Sequence, residues 1–313
     1  MKHILVLYYS QTGQLTRAVR SMIGPLENDP GVKIVWENLQ PKKPYPYPWP
    51  VFDFIDAFPE SVYMDPPLME PVSFNPDTHF DLIILAYQVW FLSPSLPVTG
   101  FLRSDAARVL KDTPVITLIA CRNMWICAHE KMKILLTELG AKLIDNVVLV
   151  DQGPPLLTFI TTPRWLLTGK RDGFWGIFPP AGISEKDIDD AARFGRVLKG
   201  SLDKLGPAAG SLLWGLGAVK VNPGYITSEK IAHRSFYIWG NLFRSIGLPG
   251  NPLRRALLII YTIFLITMIL TVVPLGVILR LVLSPFSKRK MDARVLQIEQ
   301  PSGSSTERIL GYL

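Results

Sequence analysis

Tyr8-Tyr9-Ser10-Gln11-Thr12-Gly13-Gln14-Leu15-Thr16 is the segment of this 313-residue chain whose residue types most plainly suit a chemical task. It follows an apolar run and opens a helical pattern, a placement that makes an anion site. Amides at a helix N-terminus point outward with the positive end of the dipole. Ser10, Thr12 and Thr16 add hydroxyl donors without adding charge. A phosphate monoester that already carries about two negative charges needs donors more than it needs a cation. The loop has neither the Gly-Lys-Ser/Thr ending of a triphosphate loop nor the G-x-G-x-x-G of a dinucleotide fold, so both of those sites lose support. A hydroxyl-rich helix cap with no ligand is the plain alternative.

The elements around this loop follow from apolar periodicity. Ile4 to Tyr8 is a strand, and Gly13 to Ile23 carries Leu15, Ala18, Val19, Met22 and Ile23 on one helical face. Strands recur at Val32 to Trp36, Leu82 to Ala86, Val115 to Ala120 and Leu143 to Val150, with a helix from Ala128 to Leu139 that Gly140 ends. Ser184 with Asp187 caps a closing helix whose apolar face is Ile188, Ala191, Ala192, Phe194, Val197 and Leu198. Continuous apolar strands alternating with helices predict an α/β fold with a parallel sheet covered on both faces. Pro41 to Pro50 and Pro59 to Pro76 read as stiff surface excursions, with a polyproline ligand as the alternative. Gly153 to Gly182, with Trp165, Phe174, Trp175 and Phe178, is a long segment too aromatic for disorder.

The hydroxyl-rich loop resembles the FMN phosphate loop of flavodoxins and flavodoxin-like quinone reductases, a resemblance that covers about residues 1 to 205. It implies a doubly wound five-stranded parallel sheet of order 2-1-3-4-5 with flavin at the carboxyl ends of the strands. Ser10, Gln11, Thr12, Gly13, Gln14 and Leu15 would hold the phosphate. Family members commonly carry Thr or Ser where this chain has Leu15, which puts one side-chain contact in question but not the backbone contacts. Two further loops are implied. Gln88, Val89, Trp90 and Phe91 follow the third strand, where Trp90 or Phe91 can stack on the isoalloxazine and amides near Gln88 can bond its polar edge. Cys121, Arg122 and Asn123 follow the fourth, without the glycines usual there, and Arg122 can stabilise an anionic reduced ring or an enolate. Trp90 as plain core and Arg122 as a surface cation are the alternatives. NADH or NADPH is the implied hydride donor.

Over its whole length the chain is similar to flavodoxin-like dialkylresorcinol condensing enzymes. The likeness rests on the opening loop, the stretch Thr162-Pro163-Arg164-Trp165-Leu166-Leu167-Thr168-Gly169-Lys170 and the apolar C-terminal region. It implies either condensation or oxidative aromatisation of a lipid-like cyclic ketone, with a non-enzymatic electron carrier or scaffold as the rival reading. Condensation calls for a nucleophilic cysteine, yet Cys127 and His129 are two apart and do not face each other on a helix. Aromatisation suits a flavin, and His129 is the candidate base beside Arg122, although a lone histidine is more often structural.

From Ala256 to Leu279 the chain is apolar for roughly 24 residues, enough to cross about 30 Å of hydrocarbon. Arg244, Arg254 and Arg255 precede it, and Arg280, Lys288, Arg289, Lys290 and Arg294 follow, so charge gives no direction of crossing. Pro274 and Gly276 can bend it. A single crossing, a re-entrant or in-plane anchor with both ends cytoplasmic, and a buried core helix all remain open. The expected organisation is a flavodoxin-like domain at 1–205 with an aromatic insertion at 153–183, an amphipathic collar at 206–255, a membrane segment at 256–283 and a polar tail at 284–313. The collar, with Trp165, Trp175, Trp214 and Trp239, would admit a lipophilic substrate.

The net charge of +7 is dispersed and gathers near the apolar segment, which favours anionic membrane lipid over nucleic acid. No residues show metal-ligand spacing. Two cysteines make no disulfide scaffold, and the start carries no secretory pattern, so the cytoplasmic face of a membrane is expected. A homodimer is compatible with the sequence.

Overall fold

In the computed structural model the described residues are 1–206, 209–283 and 288–312, and the side chains of 272–290 also lie outside the description. Five parallel strands form the sheet: β1 (Lys2–Tyr8), β2 (Val32–Asn38), β3 (Leu82–Trp90), β4 (Pro114–Cys121) and β5 (Lys142–Val150). Their order is β2-β1-β3-β4-β5, the flavodoxin-like arrangement. Burial explains the composition of the central strands. Ile4 to Leu7, Leu82 to Tyr87 and Val115 to Ile119 are enclosed on both faces, so no polar alternation is needed.

With this strand order, the right-handed rule for parallel crossovers puts α1 (Gln14–Glu27) on one face of the sheet and α4 (Leu96–Leu102) and α5 (Ile126–Glu138) on the other. On the α1 side the expected closing helix is split into α7 (Glu185–Asp190) and α8 (Ala192–Lys199). Ser184 Oγ accepts the Asp187 amide at 3.0 Å, as the capping pattern predicts. Gly195 of α8 lies against α1 so closely that a Cβ there would stand 1.9 Å from the Met22 carbonyl oxygen.

The proline-rich excursions are not simply surface chain. Residues 51–63 fold into α2 (Val51–Asp56) and α3 (Phe58–Tyr63), and Trp49, Phe58 and Val62 are buried. Pro50 precedes α2 as its N-cap and Pro59 stands in the first turn of α3, where the missing N–H costs nothing. Their partners are distant in sequence. Phe58, Val62, Phe243, Leu258 and Tyr261 make a second hydrophobic core between α2–α3, α9 (Pro223–Ile246) and the foot of α10 (Pro252–Leu283).

Arg254 is fully enclosed in that core. Its Nε lies 2.8 Å from Asp56 Oδ1, its Nη1 donates to Glu60 Oε1 and the Gly247 carbonyl at 2.9 Å each, and its Nη2 donates to the Asp56 carbonyl at 2.8 Å. Arg255 lies within 3.4 Å of Asp53. Of the basic residues that precede the apolar segment, Arg254 and Arg255 are therefore paired with carboxylates of α2 and α3, and Arg244 pairs with Asp65 at 2.7 Å. Among the described residues, Pro252–Thr271 is a helix with mean hydropathy 2.0, long and apolar enough to cross a membrane by length and composition. Pro274, Gly276, Arg280, Lys288, Arg289 and Lys290 have side chains outside the description.

The main core also draws on segments past residue 205. Leu212, Leu213, Leu216, Ala218 and Val219 are buried in it, and the Val148 amide donates to the Ala218 carbonyl beside β5. The tail also returns to this edge after α11 (Lys288–Glu299). Ile298 is buried, Glu299 accepts the Val221 amide, and Ser302 Oγ donates to Asp145 at 2.7 Å. The α/β unit thus extends well beyond residue 205 because its outer strand needs cover that only later segments supply.

Candidate functional site

Three loops converge at the carboxyl ends of β1, β3 and β4. In the first, Gly13 takes the left-handed conformation, φ +79°, and opens α1. A Cβ at Gly13 would meet no atom within 4 Å, so the need for glycine here is one of backbone conformation. Ser10 Oγ accepts the Thr16 amide at 3.4 Å. The Thr12 hydroxyl is buried and has no hydrogen-bond partner, a condition that costs stability unless something else satisfies it. The Leu15 side chain is fully buried in the core, which leaves its main chain as the part able to serve a ligand.

The two glutamines of this loop act as braces. Gln14 Oε1 accepts the Ile183 amide at 2.9 Å while its Nε2 donates to the Ile183 carbonyl at 3.0 Å. Gln11 Nε2 donates to the Pro46 carbonyl at 2.8 Å, and the Tyr9 hydroxyl donates to Gln11 Oε1. The Gln11 amide donates to Gln88 Oε1 at 3.0 Å, which ties the first loop to the second.

The second loop begins inside β3, which runs four residues farther than its apolar run predicts. Val89 and Trp90 pair antiparallel with Pro94 and Ser93, and the turn between them holds Phe91 at φ +46° and Leu92 at φ +60°. Two bulky residues in the left-handed region constitute a strained tight turn. Trp90 is framed by Tyr9, Tyr45 and Trp49 at ring-centroid distances of 5.9, 5.0 and 5.6 Å. Phe91 points the other way, 5.3 Å from Phe54 and 5.3 Å from Phe58 of the second core. The Pro41 to Pro50 excursion is therefore a wall of the loop cluster, and Tyr45 and Trp49 are site residues that the sequence alone did not single out. Their signal was present as aromatics among prolines; the placement was not.

The third loop is covered by α6 (Thr158–Thr168), formed by the aromatic insertion. The Arg122 guanidinium lies 4.0 Å from the centre of the Phe159 ring and donates to Thr158 Oγ1 at 3.3 Å. Asp151, at the end of β5, joins the pieces: its amide donates to the Cys121 carbonyl, and its carboxylate accepts the amides of Gly153 and Gly182. Desolvation raises its pKa despite those bonds. Asn123 is half-buried in the same loop. Trp165 is buried under the roof, 5.8 Å from the Arg171 guanidinium, whereas Trp175 is 83% exposed.

His129 is not brought to the loops as an accessible base. It is fully buried on α5, with Nδ1 3.5 Å from the Tyr87 hydroxyl and Nε2 unpartnered. Burial pushes its pKa down to about 3, so the ring is neutral at neutral pH. Burial also raises the Cys121 thiol and pushes Cys127 up to about 12, the opposite of an activated nucleophile.

A residue missed by sequence reading is Glu229 of α9. It is fully buried, and its Oε1 accepts the Cys127 amide at 2.6 Å, which caps α5 from another helix. Its Oε2 has no partner, and desolvation raises its pKa to about 7. No spacing in the sequence announces a cap supplied from a hundred residues away. Among the described residues no cluster of His, Cys, Asp and Glu could hold a metal ion.

The residues present suit a phosphate at the first loop: an unpartnered buried hydroxyl, a left-handed glycine and a helix N-terminus stand together. The aromatic wall around Trp90 suits a planar ring in its chemistry.

No protein-family model and no curated protein matches the chain. Among solved structures it is similar to a flavoprotein in complex with FMN from Lactobacillus acidophilus NCFM, at 14% identity and TM-score 0.39 over 47% of this chain and 93% of that one. A WrbA-like flavodoxin protein from Agrobacterium tumefaciens is similar at 11% identity and TM-score 0.37, over 65% and 99% of the two chains. A flavodoxin from the domain Archaea is similar at 9% identity and TM-score 0.31, over 64% and 99%.

Proposed function

We propose that this chain is a membrane-associated oxidoreductase that holds FMN at the three loops and acts on a lipophilic cyclic ketone or quinone-like substrate. The observation that carries the reading is the Thr12 hydroxyl, buried without a partner beside the left-handed Gly13 where α1 begins. A phosphate oxygen supplies the missing partner. Ser10, Thr12 and the first amides of α1 would hold the phosphate, while Gln11 and Gln88 keep the first two loops in register. Trp90, with Tyr45 and Trp49 behind it, would present an apolar aromatic wall to the ring. When bound, FMN accepts and returns a hydride or single electrons.

The chain's own contribution to chemistry is electrostatic and steric. Arg122, held by Phe159 and Thr158, places a fixed positive charge beside the third loop, where a developing anion on ring or substrate would be stabilised. The roof formed by α6 and residues 41–50 limits water at this end; the Trp49 amide donates to the Leu166 carbonyl at 2.8 Å and joins the two. His129 supports Tyr87 from within the core and carries no proton step. Oxidation of a cyclohexanedione to an aromatic resorcinol, which the resemblance of the whole chain implies, would pass a hydride to FMN and a proton to solvent and would need an external electron acceptor such as dioxygen or a quinone to reoxidise the flavin; reduction of a quinone-like substrate would instead draw hydride from NADH or NADPH. Condensation through Cys121 or Cys127 is disfavoured by the raised thiol pKa values.

The test is the visible spectrum of detergent-purified protein and the identity of any flavin released on denaturation. FMN retained, or taken up at micromolar concentration, supports the reading. No uptake after addition of FMN overturns it.

A further inference from the structure

We infer that α10 lies along one leaflet beside the protein body and does not cross the bilayer, and that the outward face of α9 shares that lipid surface. The inference rests on the membrane association proposed above. Both sides of α10 are attached to the same body. In its first turns, Arg254 is locked between Asp56 and Glu60, and Leu258 and Tyr261 are buried against Phe58 and its neighbours. After it, Ile298, Glu299 and Ser302 are seated against the residues that cover β5, and the Gly217 amide donates to the Ser305 carbonyl.

The chain between these attachments is too short and too charged for a return passage. α10 ends at Leu283, and α11, which begins at Lys288, advances only about 1.5 Å per residue. If α10 crossed about 30 Å of hydrocarbon, the path back to Ile298 would have to draw Lys288, Arg289, Lys290, Asp292 and Arg294 through it. A charged side chain at the middle of a bilayer is costly enough that such a path does not form.

An in-plane helix agrees with the exposure pattern. Arg254, Leu258 and Tyr261 face the body, while Ile263 is 61% exposed and Leu270 is 71% exposed. On α9 Trp239, expected to form part of a collar, points inward, 4.9 Å from Tyr261, and Phe236 lies 5.1 Å from Phe58. Its outward stripe is Ile231, Arg234, Ile238 and Leu242, spaced at helical repeats, with Ile238 64% exposed. A cation among exposed aliphatic residues matches an anionic lipid interface, and α9 adjoins α10 through Trp239, 5.8 Å from Phe264.

The test uses the full chain with a single fluorophore on Ile238→Cys, Ile263→Cys or Leu270→Cys, all exposed positions. Labelling through Cys121 and Cys127 is measured first in the unsubstituted chain. Each sample is placed in phosphatidylcholine–phosphatidylglycerol vesicles that contain lipid brominated at shallow or at deep acyl positions. Positions 263 and 270 share a helix face, so an in-plane α10 gives them the same preference for the shallow quencher, with 238 quenched by it too. A crossing helix separates them by about 10 Å in depth, and a deep preference at one of the two overturns the inference. Quenching at 263 with none at 238 removes α9 from the lipid surface and overturns that half. No lipid quenching at any position overturns the membrane reading itself, and self-quenching between labelled copies in its place assigns the face to a second copy of the chain. FMN uptake in the same samples reports separately on the flavin reading.

Discussion

The chain contains two hydrophobic cores built on opposite principles. The sheet core joins mainly strands and helices that are neighbours in sequence and closes through apolar side chains, with later segments covering its outer strand β5. The second core joins residues 55–63 to residues 236–265 and encloses a guanidinium with two carboxylates. Apart from that outer edge, the first specifies itself locally. The second exists only because distant segments meet, and its buried charges select that meeting: Arg254 without Asp56 and Glu60 would be an unpaired cation in an apolar setting.

Breaking the second core while sparing the first gives the largest expected effect. Arg254→Ala removes the main cation between buried Asp56 and half-buried Glu60, leaving Asp56 only Arg255 and the Gly250 amide, and should cost about 3 kcal/mol. Hydrogen exchange should rise in α2, α3 and α9 while β1, β3 and β4 stay protected; uniform loss of protection would show that the two cores are one cooperative unit.

Glu229, which joins the cores by capping α5, sharpens the comparison through pH. Its pKa is near 7 when folded and near the ordinary glutamate value, about 4.5, when unfolded. Between those values the folded state holds a proton that the unfolded state has lost, so this group's contribution falls as pH rises, by up to about 3 kcal/mol. Buried His129 acts with the opposite sign. The unfolded state binds the proton first, and stability grows as pH rises from about 3 to about 6.5. Glu229→Gln should therefore gain stability relative to the unsubstituted chain as pH rises from 4.5 to 7, measured by urea unfolding in detergent. A difference independent of pH would refute the assigned titration.

Within the first core, Gly195→Ala pushes a methyl group into the Met22 carbonyl and should cost about 1–3 kcal/mol, read as a lower urea midpoint. Second-core exchange rates should change little. The smallest effect on stability, of opposite sign, belongs to the site. Thr12→Val removes an unsatisfied buried hydroxyl and should stabilise the flavin-free protein by about 1 kcal/mol while weakening FMN binding about tenfold. Weaker FMN binding without the gain in stability would mean that Thr12 already has a partner.

Much of this protein was legible before its structure. The five strands, α1, α5 and the Ser184 cap follow from continuous apolar runs, from the 3.6-residue helical periodicity and from local capping chemistry, all of which act over a few residues. The hydroxyl-rich turn after β1 was legible for the same reason: residue types and element order place a helix N-terminus there. The tertiary structure alone decided that Tyr45 and Trp49 wall Trp90, that Arg122 is clamped under α6, that His129 is sealed in the core, and that Glu229 caps α5. It also decided that Arg254 is a buried clasp, although its charge beside an apolar run reads as a flank. Each of these depends on pairs of residues tens to hundreds of positions apart, and their contact energies have no local periodicity for a sequence to display.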